Sequence, residues 1–145
     1  MMKPYLQLGF AILFMTSACF AETDTREKVE FPEMMQQHML ANMRDHLLAI
    51  NEIQAFLAVT EYEKAAEVAE QRLGMSSLDN HGAAHMASMM PQAMQAMGTN
   101  MHKAASQFAI TVVETSVSGD LKPALGALSK ITQQCVACHQ AYRVH

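Results

Sequence analysis

Residues 119–142 read GDLKPALGALSKITQQCVACHQAY and have the pattern of one complete amphipathic helix, which favours a helical fold. Gly119 and Asp120 are typical of the end of one helix and the N-cap of the next, and Pro123 suits a first turn. The apolar residues recur every three or four positions and therefore share one face of the helix: Leu125, Leu128, Ile131, Cys135, Cys138 and Tyr142. A helix with one apolar face buries that face against other elements.

Residues 31–57 have the spacing of a first, long helix. Pro32 suits its first turn. The residues that form its apolar face are Phe31, Met35, Met39, Met43, His46, Ile50, Ile53 and Leu57. Thr60 and Glu63 have the spacing of a capping box, which predicts a second helix that Gly74 ends.

A third helix is predicted to begin near Ala83 or after Pro91 and to continue to about Val117. The chain has only 6 Gly and 4 Pro, which favours helices over the short strands of a sandwich or barrel, and no strand is required. Four amphipathic helices with short connections most simply form an up-down-up-down antiparallel four-helix bundle. The predicted fold class is therefore all-α.

The composition limits the class of protein. A chain of 145 residues has the length of one domain, and 14 acidic against 10 basic side chains give a net charge of −4. The Lys and Arg residues do not cluster, which argues against nucleic acid as a partner, because proteins that bind the phosphate backbone carry clustered cations. The sequence contains no nucleophile triad, phosphate-binding Gly loop or zinc-ligand spacing, so we do not expect an enzyme.

Residues 1–21 predict a secretory signal peptide. The apolar run at residues 6–15 is about ten residues long, which is too short to span a bilayer, and a Lys precedes it. Cys19 and Ala21 are small residues at the two recognition positions of a cleavage site. We therefore expect a periplasmic protein with no membrane span, whose mature domain comprises residues 22–145.

Cleavage after Ala21 removes Cys19 and leaves two cysteines. The alternative for Cys19 is acylation as the first residue of a lipoprotein, but Thr16 stands where such signals usually carry an aliphatic residue. In an exported protein a disulfide between Cys135 and Cys138 is conceivable. A thioredoxin-like dithiol is a weaker interpretation, because no βαβ pattern surrounds the two cysteines.

The sequence Cys135-Val136-Ala137-Cys138-His139 is the C-x-x-C-H pattern of covalent haem attachment. On a helix, Cys135 and Cys138 are three residues apart and present both sulfurs to one haem edge. His139 lies about 100° further round the helix, from where its imidazole can reach the iron. The pattern therefore predicts one covalently bound haem c.

The segment Gly119-Asp120-Leu121, Leu125, Cys135-x-x-Cys138-His139 and Tyr142-Arg143 resembles the last helix of the cytochrome c prime family, the class II c-type cytochromes. These proteins are exported four-helix bundles with haem bound near the C-terminus. The resemblance implies that Cys135 and Cys138 carry the thioethers and that His139 is the proximal iron ligand. It also implies a monohaem electron carrier that exchanges electrons with redox partner proteins.

In this family the residue on the other side of the iron belongs to the first helix. Residues 37–44, QHMLANMR, resemble that helix in the members with a Met ligand and put Met39 at the ligand position. From the residues alone, His38, Met43 and His46 remain alternative ligands. An apolar residue there would instead give a five-coordinate iron that binds NO or CO, which is the alternative function.

This chain departs from the pattern of the family at one position and shares with it a possible mode of assembly. Many members carry an Arg one turn before the distal residue, where it contacts a haem propionate, whereas this chain has Met35. Arg44 lies one turn after Met39, on a neighbouring face. Family members often dimerise through their first two helices, which makes a homodimer an open alternative.

A stripe of methionines precedes the last helix. Its members, which recur every three or four residues, are Met86, Met90, Met94, Met97 and Met101. Three histidines and one further methionine lie nearby in the sequence: His81, His85, Met89 and His102. We expect this stripe to be a flexible apolar face that packs around haem or against another subunit. The alternative is a copper site, in a Met- and His-rich copper-handling protein whose haem is auxiliary, because thioether and imidazole ligands suit Cu(I).

Overall fold

The computed structural model describes residues 23–145, so the predicted signal peptide at residues 1–21 and Cys19 lie outside the described residues. Five helices make up most of this range, which confirms the all-α prediction. They are α1 (Glu33–Ala58), α2 (Tyr62–Arg72), α3 (Ala83–Ala87), α4 (Gln92–Ser118) and α5 (Leu121–Ala141). A single 3-10 turn, Met75–Ser77, lies between α2 and α3. Within residues 23–145, no helix combines the length and the hydrophobicity needed to cross a membrane.

The sequence predicts the long helices within a few residues of their observed ends. The two alternative starts of the third helix both occur, because α3 begins at Ala83 and α4 begins after Pro91. Gly119 has a left-handed backbone (φ 69°) and its amide donates to the carbonyl oxygen of Thr115 at 2.8 Å, which ends α4. The Asp120 carboxylate accepts from the backbone amide of Lys122 at 3.0 Å and caps α5.

The predicted capping box at Thr60 and Glu63 is wrong. The N-cap of α2 is Glu61, and no side chain accepts a hydrogen bond there. Thr60 instead has a positive φ of 60°, and its hydroxyl donates to the carbonyl oxygen of Val59 at 2.7 Å. The amide of Glu61 donates to the carbonyl oxygen of Phe56 at 2.9 Å, so backbone hydrogen bonds form the turn between α1 and α2.

Two groups of buried side chains form the core. The larger group draws on α1, α2, α4 and α5, and its largest fully buried members are Phe108, Ile53, Leu73, Ile131 and Val112. α4 packs against α5 and α2, and α2 packs against α1. The smaller group, which we call the methionine cluster, comprises Val29, Met35, Met39, Met86 and Met94, with Cys138 and Tyr142 packed against it.

A short parallel strand pair joins the two ends of the described chain, although the sequence required no strand. The strand β1 (Glu27–Lys28) pairs with β2 (Tyr142–Arg143) directly after α5. The amide of Val29 also donates to the carbonyl oxygen of Arg143 at 2.8 Å. These bonds bring Val29 into the methionine cluster and fix the N-terminal segment beside the last turn of α5.

Candidate functional site

The C-x-x-C-H sequence occupies the last two turns of α5, where both cysteines face the interior. Cys135 packs against the larger core group and Cys138 against the methionine cluster, while Val136, one of the two residues between them, is 54% exposed. Both cysteines are free and half-buried, and this burial raises the pKa of both thiols. His139 is exposed but lines the same cavity as the two cysteines.

That cavity has a volume of about 520 Å³, which lies within the range of small-molecule and cofactor sites. Helices α1, α4 and α5 and the segment before α4 contribute to its wall. Most of the lining side chains are apolar, and no Lys or Arg of residues 23–145 is among them. The polar side chains in the lining are Asn42, His46, His81, His102, Thr132, Gln134 and His139. An apolar cavity of this size, with two thiols and an imidazole on one helix, fits the haem that the sequence predicts.

Three of the four candidate distal ligands lie in this cavity. Met39 and His46 are each 9% exposed, and Met43 is half-buried; all three line the wall that α1 forms. His38 is not part of the lining. Its Nε2–H donates to the carbonyl oxygen of His81 at 2.8 Å, and the side chain of Asn42 donates to the same oxygen at 3.2 Å.

The whole methionine stripe, from Met86 to Met101, lines the cavity. Every one of its five members is in the wall, and three are nearly fully buried: Met86 at 2%, Met101 at 6% and Met94 at 7% exposed. The stripe is therefore an apolar face of the cavity wall. The position that carries Arg in many cytochromes c prime is also apolar here, because Met35 belongs to the methionine cluster, while Arg44 is exposed and outside the cavity lining.

The structure also brings together three histidines that no sequence pattern connects. His46 of α1, His81 of the loop before α3 and His102 of α4 have ring centroids 4.7 Å (His46 to His81), 5.4 Å (His81 to His102) and 6.0 Å (His46 to His102) apart. We call these the histidine cluster. Sequence reasoning missed the grouping because the three residues are 35 and 21 positions apart and share no helical face.

Hydrogen bonds orient two of these three rings. The carbonyl oxygen of Leu73 accepts from Nδ1–H of His102 at 2.7 Å. The Ser77 hydroxyl donates its only proton to the carbonyl oxygen of Gly74 at 2.7 Å, so it accepts from Nδ1–H of His81 at 3.3 Å. Both rings therefore carry the lone pair on Nε2.

Burial lowers the pKa of all three imidazoles of the histidine cluster and so favours their uncharged form. Desolvation is the main cause that lowers the pKa of His46 to about 4, and the charges of His81 and His102 lower it further. The pKa of His81 and that of His102 are also lowered, again mainly by burial. The neighbouring Asp45 carboxylate partly opposes the shift at His46, but Arg72 binds that carboxylate with contacts of 2.5 and 3.2 Å.

Comparisons with known proteins add no relative. No family model, no curated protein and no solved structure matches this chain. Within residues 23–145, no three or more His, Cys, Asp or Glu side chains are arranged, as they stand, to hold a metal ion.

Proposed function

We propose that this protein is a periplasmic monohaem c-type cytochrome that carries one electron, and that it belongs to the cytochrome c prime family with an up-down-up-down antiparallel four-helix bundle. One observation carries the proposal: a single apolar cavity of about 520 Å³ is lined by Cys135, Cys138 and His139 of α5 and by Met39 of α1. The residues predicted from separate parts of the sequence thus meet around one space of cofactor size.

In this proposal each of the four residues has a distinct role. Cys135 and Cys138 bind one haem through thioethers, His139 is the proximal iron ligand and Met39 is the distal ligand. The haem supplies the Fe(III)/Fe(II) couple. A thioether ligand favours the ferrous state and raises the reduction potential, which suits an electron carrier.

The remaining wall residues control the surroundings of the cofactor. The buried Met86, Met94 and Met101 keep water away from the cavity, and thioether side chains adapt their shape to a large planar group. The described residues put no Lys or Arg in this mostly apolar wall, which favours the less charged redox state. The methionine stripe thereby has a role that needs no copper.

Two measurements on the purified protein test the proposal. First, the haem should remain attached to the denatured chain, and replacing both Cys135 and Cys138 by Ser should abolish that attachment while Cys19→Ser leaves it unchanged. Second, the ferrous protein should be low-spin and should not bind CO readily. Absence of any covalent haem would refute the proposal.

A high-spin ferrous form that binds CO would instead support the alternative, a five-coordinate gas-binding cytochrome. Mass spectrometry of the exported protein tests the remaining parts of the proposal. A chain that begins at Glu22 supports cleavage of a signal peptide, whereas an acylated Cys19 supports a lipoprotein. Sedimentation at several concentrations decides between a monomer and the homodimer that the family resemblance leaves open.

A further inference from the structure

Burying the histidine cluster costs free energy, and a bound ligand would offset that cost. His46 and His102 are buried and His81 is half-buried, and a buried polar atom without a hydrogen bond costs free energy. His46 shows this directly: the residue is only 9% exposed, and its Nε2 has no hydrogen-bond partner among the described residues. A bound ligand would satisfy that atom.

The spacing of the rings matches a three-imidazole metal site. A ligating nitrogen lies about 2.0–2.1 Å from a zinc ion, which puts the ring centroid about 3.2 Å from the ion. In a trigonal or tetrahedral site the centroids are then separated by about 5 to 5.5 Å. The observed separation of 5.4 Å lies in that range, while the separation of 4.7 Å is slightly shorter and that of 6.0 Å slightly longer.

The hydrogen bonds of the cluster are those of metal-binding histidines. A ligating imidazole usually donates its other ring N–H to a carbonyl or another oxygen, which fixes the tautomer and the ring orientation. His102 donates Nδ1–H to Leu73 and His81 donates Nδ1–H to Ser77, so both keep the Nε2 lone pair for another partner. Burial holds all three rings in the neutral form that binds metals at neutral pH.

We propose that His46, His81 and His102 bind one late first-row transition-metal ion, Zn²⁺ or Cu⁺, at the wall of the cavity. Neutral imidazoles suit these ions, whereas Mg²⁺ and Ca²⁺ require oxygen ligands. The rings do not converge as they stand, so binding requires the His46 ring, whose Nε2 has no hydrogen-bond partner among the described residues, to turn toward His81 and His102. Torsions between a tetrahedral carbon and an imidazole ring are broad, which allows the His46 ring to turn while His81 and His102 keep their Nδ1–H bonds.

The metal site shares the cavity wall with the proposed haem site, but it does not rest on the electron-carrier proposal. It uses none of Cys135, Cys138, His139 and Met39, and it differs from a copper site on the methionine stripe because its ligands are imidazoles. One rival use of the cluster is open to test: His46 could ligate the haem iron instead. Substitutions of His81 and His102 separate the two roles, because neither residue is a candidate iron ligand.

The experiment is a metal titration of the full exported protein. The protein is stripped with a chelator and titrated separately with Zn²⁺, Cu⁺ under reducing conditions, and Mg²⁺, with stoichiometry measured by competition against a chromogenic chelator. We expect one equivalent of Zn²⁺ or Cu⁺ to bind and no Mg²⁺ to bind. His81→Ala and His102→Ala should each weaken that binding by about 100-fold or more, since even loss of an outer-shell partner costs 10–100-fold.

Two matched controls make the result specific. His85→Ala removes an exposed histidine next to the cluster, and Met90→Ala removes a member of the methionine stripe; both should bind the metal as the unchanged protein does. Because His102 is buried, circular dichroism must show that its variant folds, and the half-buried His81 gives a second test if it does not. Absence of Zn²⁺ and Cu⁺ binding would overturn the proposal, and so would binding that survives both histidine substitutions. The haem spectrum reports separately on the electron-carrier proposal.

Discussion

The imidazole Nε2 of His38 lies 2.8 Å from the backbone carbonyl oxygen of His81, so the first helix holds the loop that precedes α3. Asn42, one turn further along α1, donates to the same oxygen at 3.2 Å. These two bonds hold His81 beside His46 and close one side of the cavity. They also give His38 a structural role that differs from iron ligation.

We predict that His38→Ala lowers the free energy of unfolding by about 1–2 kcal/mol, because the loop loses a hydrogen bond and a carbonyl oxygen is left with a weaker partner. Denaturant titration measures the loss, and hydrogen exchange should increase in residues 79–82. His85→Ala, at an exposed position of the same region, should change stability by less than about 0.5 kcal/mol. A changed spin state in His38→Ala would show that His38 is an iron ligand.

Gly82 is the second constraint on this loop. Its φ is +62°, and a Cβ atom built there would lie 3.3 Å from Nε2 of His38. Gly82→Ala should therefore destabilise the protein by about 1–2 kcal/mol, because a left-handed backbone disfavours a Cβ and the His38 bond is disturbed. Gly126→Ala is the matched control, since Gly126 lies within α5 with open space around it and should gain up to about 1 kcal/mol. Equal signs for the two changes would contradict this prediction.

Thr60 is poorly suited to its backbone conformation, whereas Gly82 suits its own. Thr60 is a β-branched residue in a left-handed position (φ 60°) in the turn between α1 and α2. Thr60→Asn should raise the free energy of unfolding by about 0.5–1 kcal/mol, since Asn tolerates this backbone region better. Thr111→Asn, inside α4, should stay within about 0.5 kcal/mol of the unchanged protein. Thermal and denaturant unfolding measure both variants, and a loss of stability in Thr60→Asn would show that the Thr60 hydroxyl bond outweighs the strain.

Met39 and Met43 are one turn apart on α1 and line the same cavity. If Met39 is the distal ligand, Met39→Ala should convert a low-spin protein to a high-spin form that binds CO, and should lower the reduction potential. Met43→Ala should keep the low-spin spectrum, because it removes similar volume without removing the ligand. A low-spin spectrum that survives Met39→Ala would move the assignment to Met43 or His46.

The histidine cluster makes stability depend on pH. The folded protein lowers the pKa of His46 from 6.5 to about 4, so between these values the unfolded chain binds more protons. The contribution of His46 is fully present above about pH 6.5 and is lost as the pH falls to about 4. The loss from His46 alone is about 3 kcal/mol, and the lowered pKa values of His81 and His102 add to it in the same direction.

Denaturant unfolding from about pH 7.5 to about pH 4, with a chelator present, measures this dependence. His46→Leu should flatten the profile, whereas His85→Leu should leave its slope unchanged. Asp45 also loses its ion pair with Arg72 on acidification, but that loss occurs in both variants and cancels in the comparison. Identical slopes for the two variants would show that His46 does not carry the dependence.

The helices and the C-x-x-C-H motif can be predicted from the sequence, because both depend on local spacing. Apolar residues at every third or fourth position specify a helix and its buried face, and Asp120 caps α5 through atoms of its own neighbourhood. The prediction of a capping box at Thr60 was wrong because it used local spacing alone. The packing of α2 against α1 forms a tight turn there, and such tertiary contacts override a local propensity.

Which side chains share the cavity could not be predicted from the sequence, because it depends on how the helices pack. A period of 3.6 residues defines a face about 100° wide, so it cannot choose between Met39, Met43 and His46, and it cannot set how far α4 is shifted along α5. The meeting of His46, His81 and His102 depends on three elements and on the bond from His38 to the loop. Long-range packing therefore fixed what local spacing left open, namely the neighbours of each potential ligand.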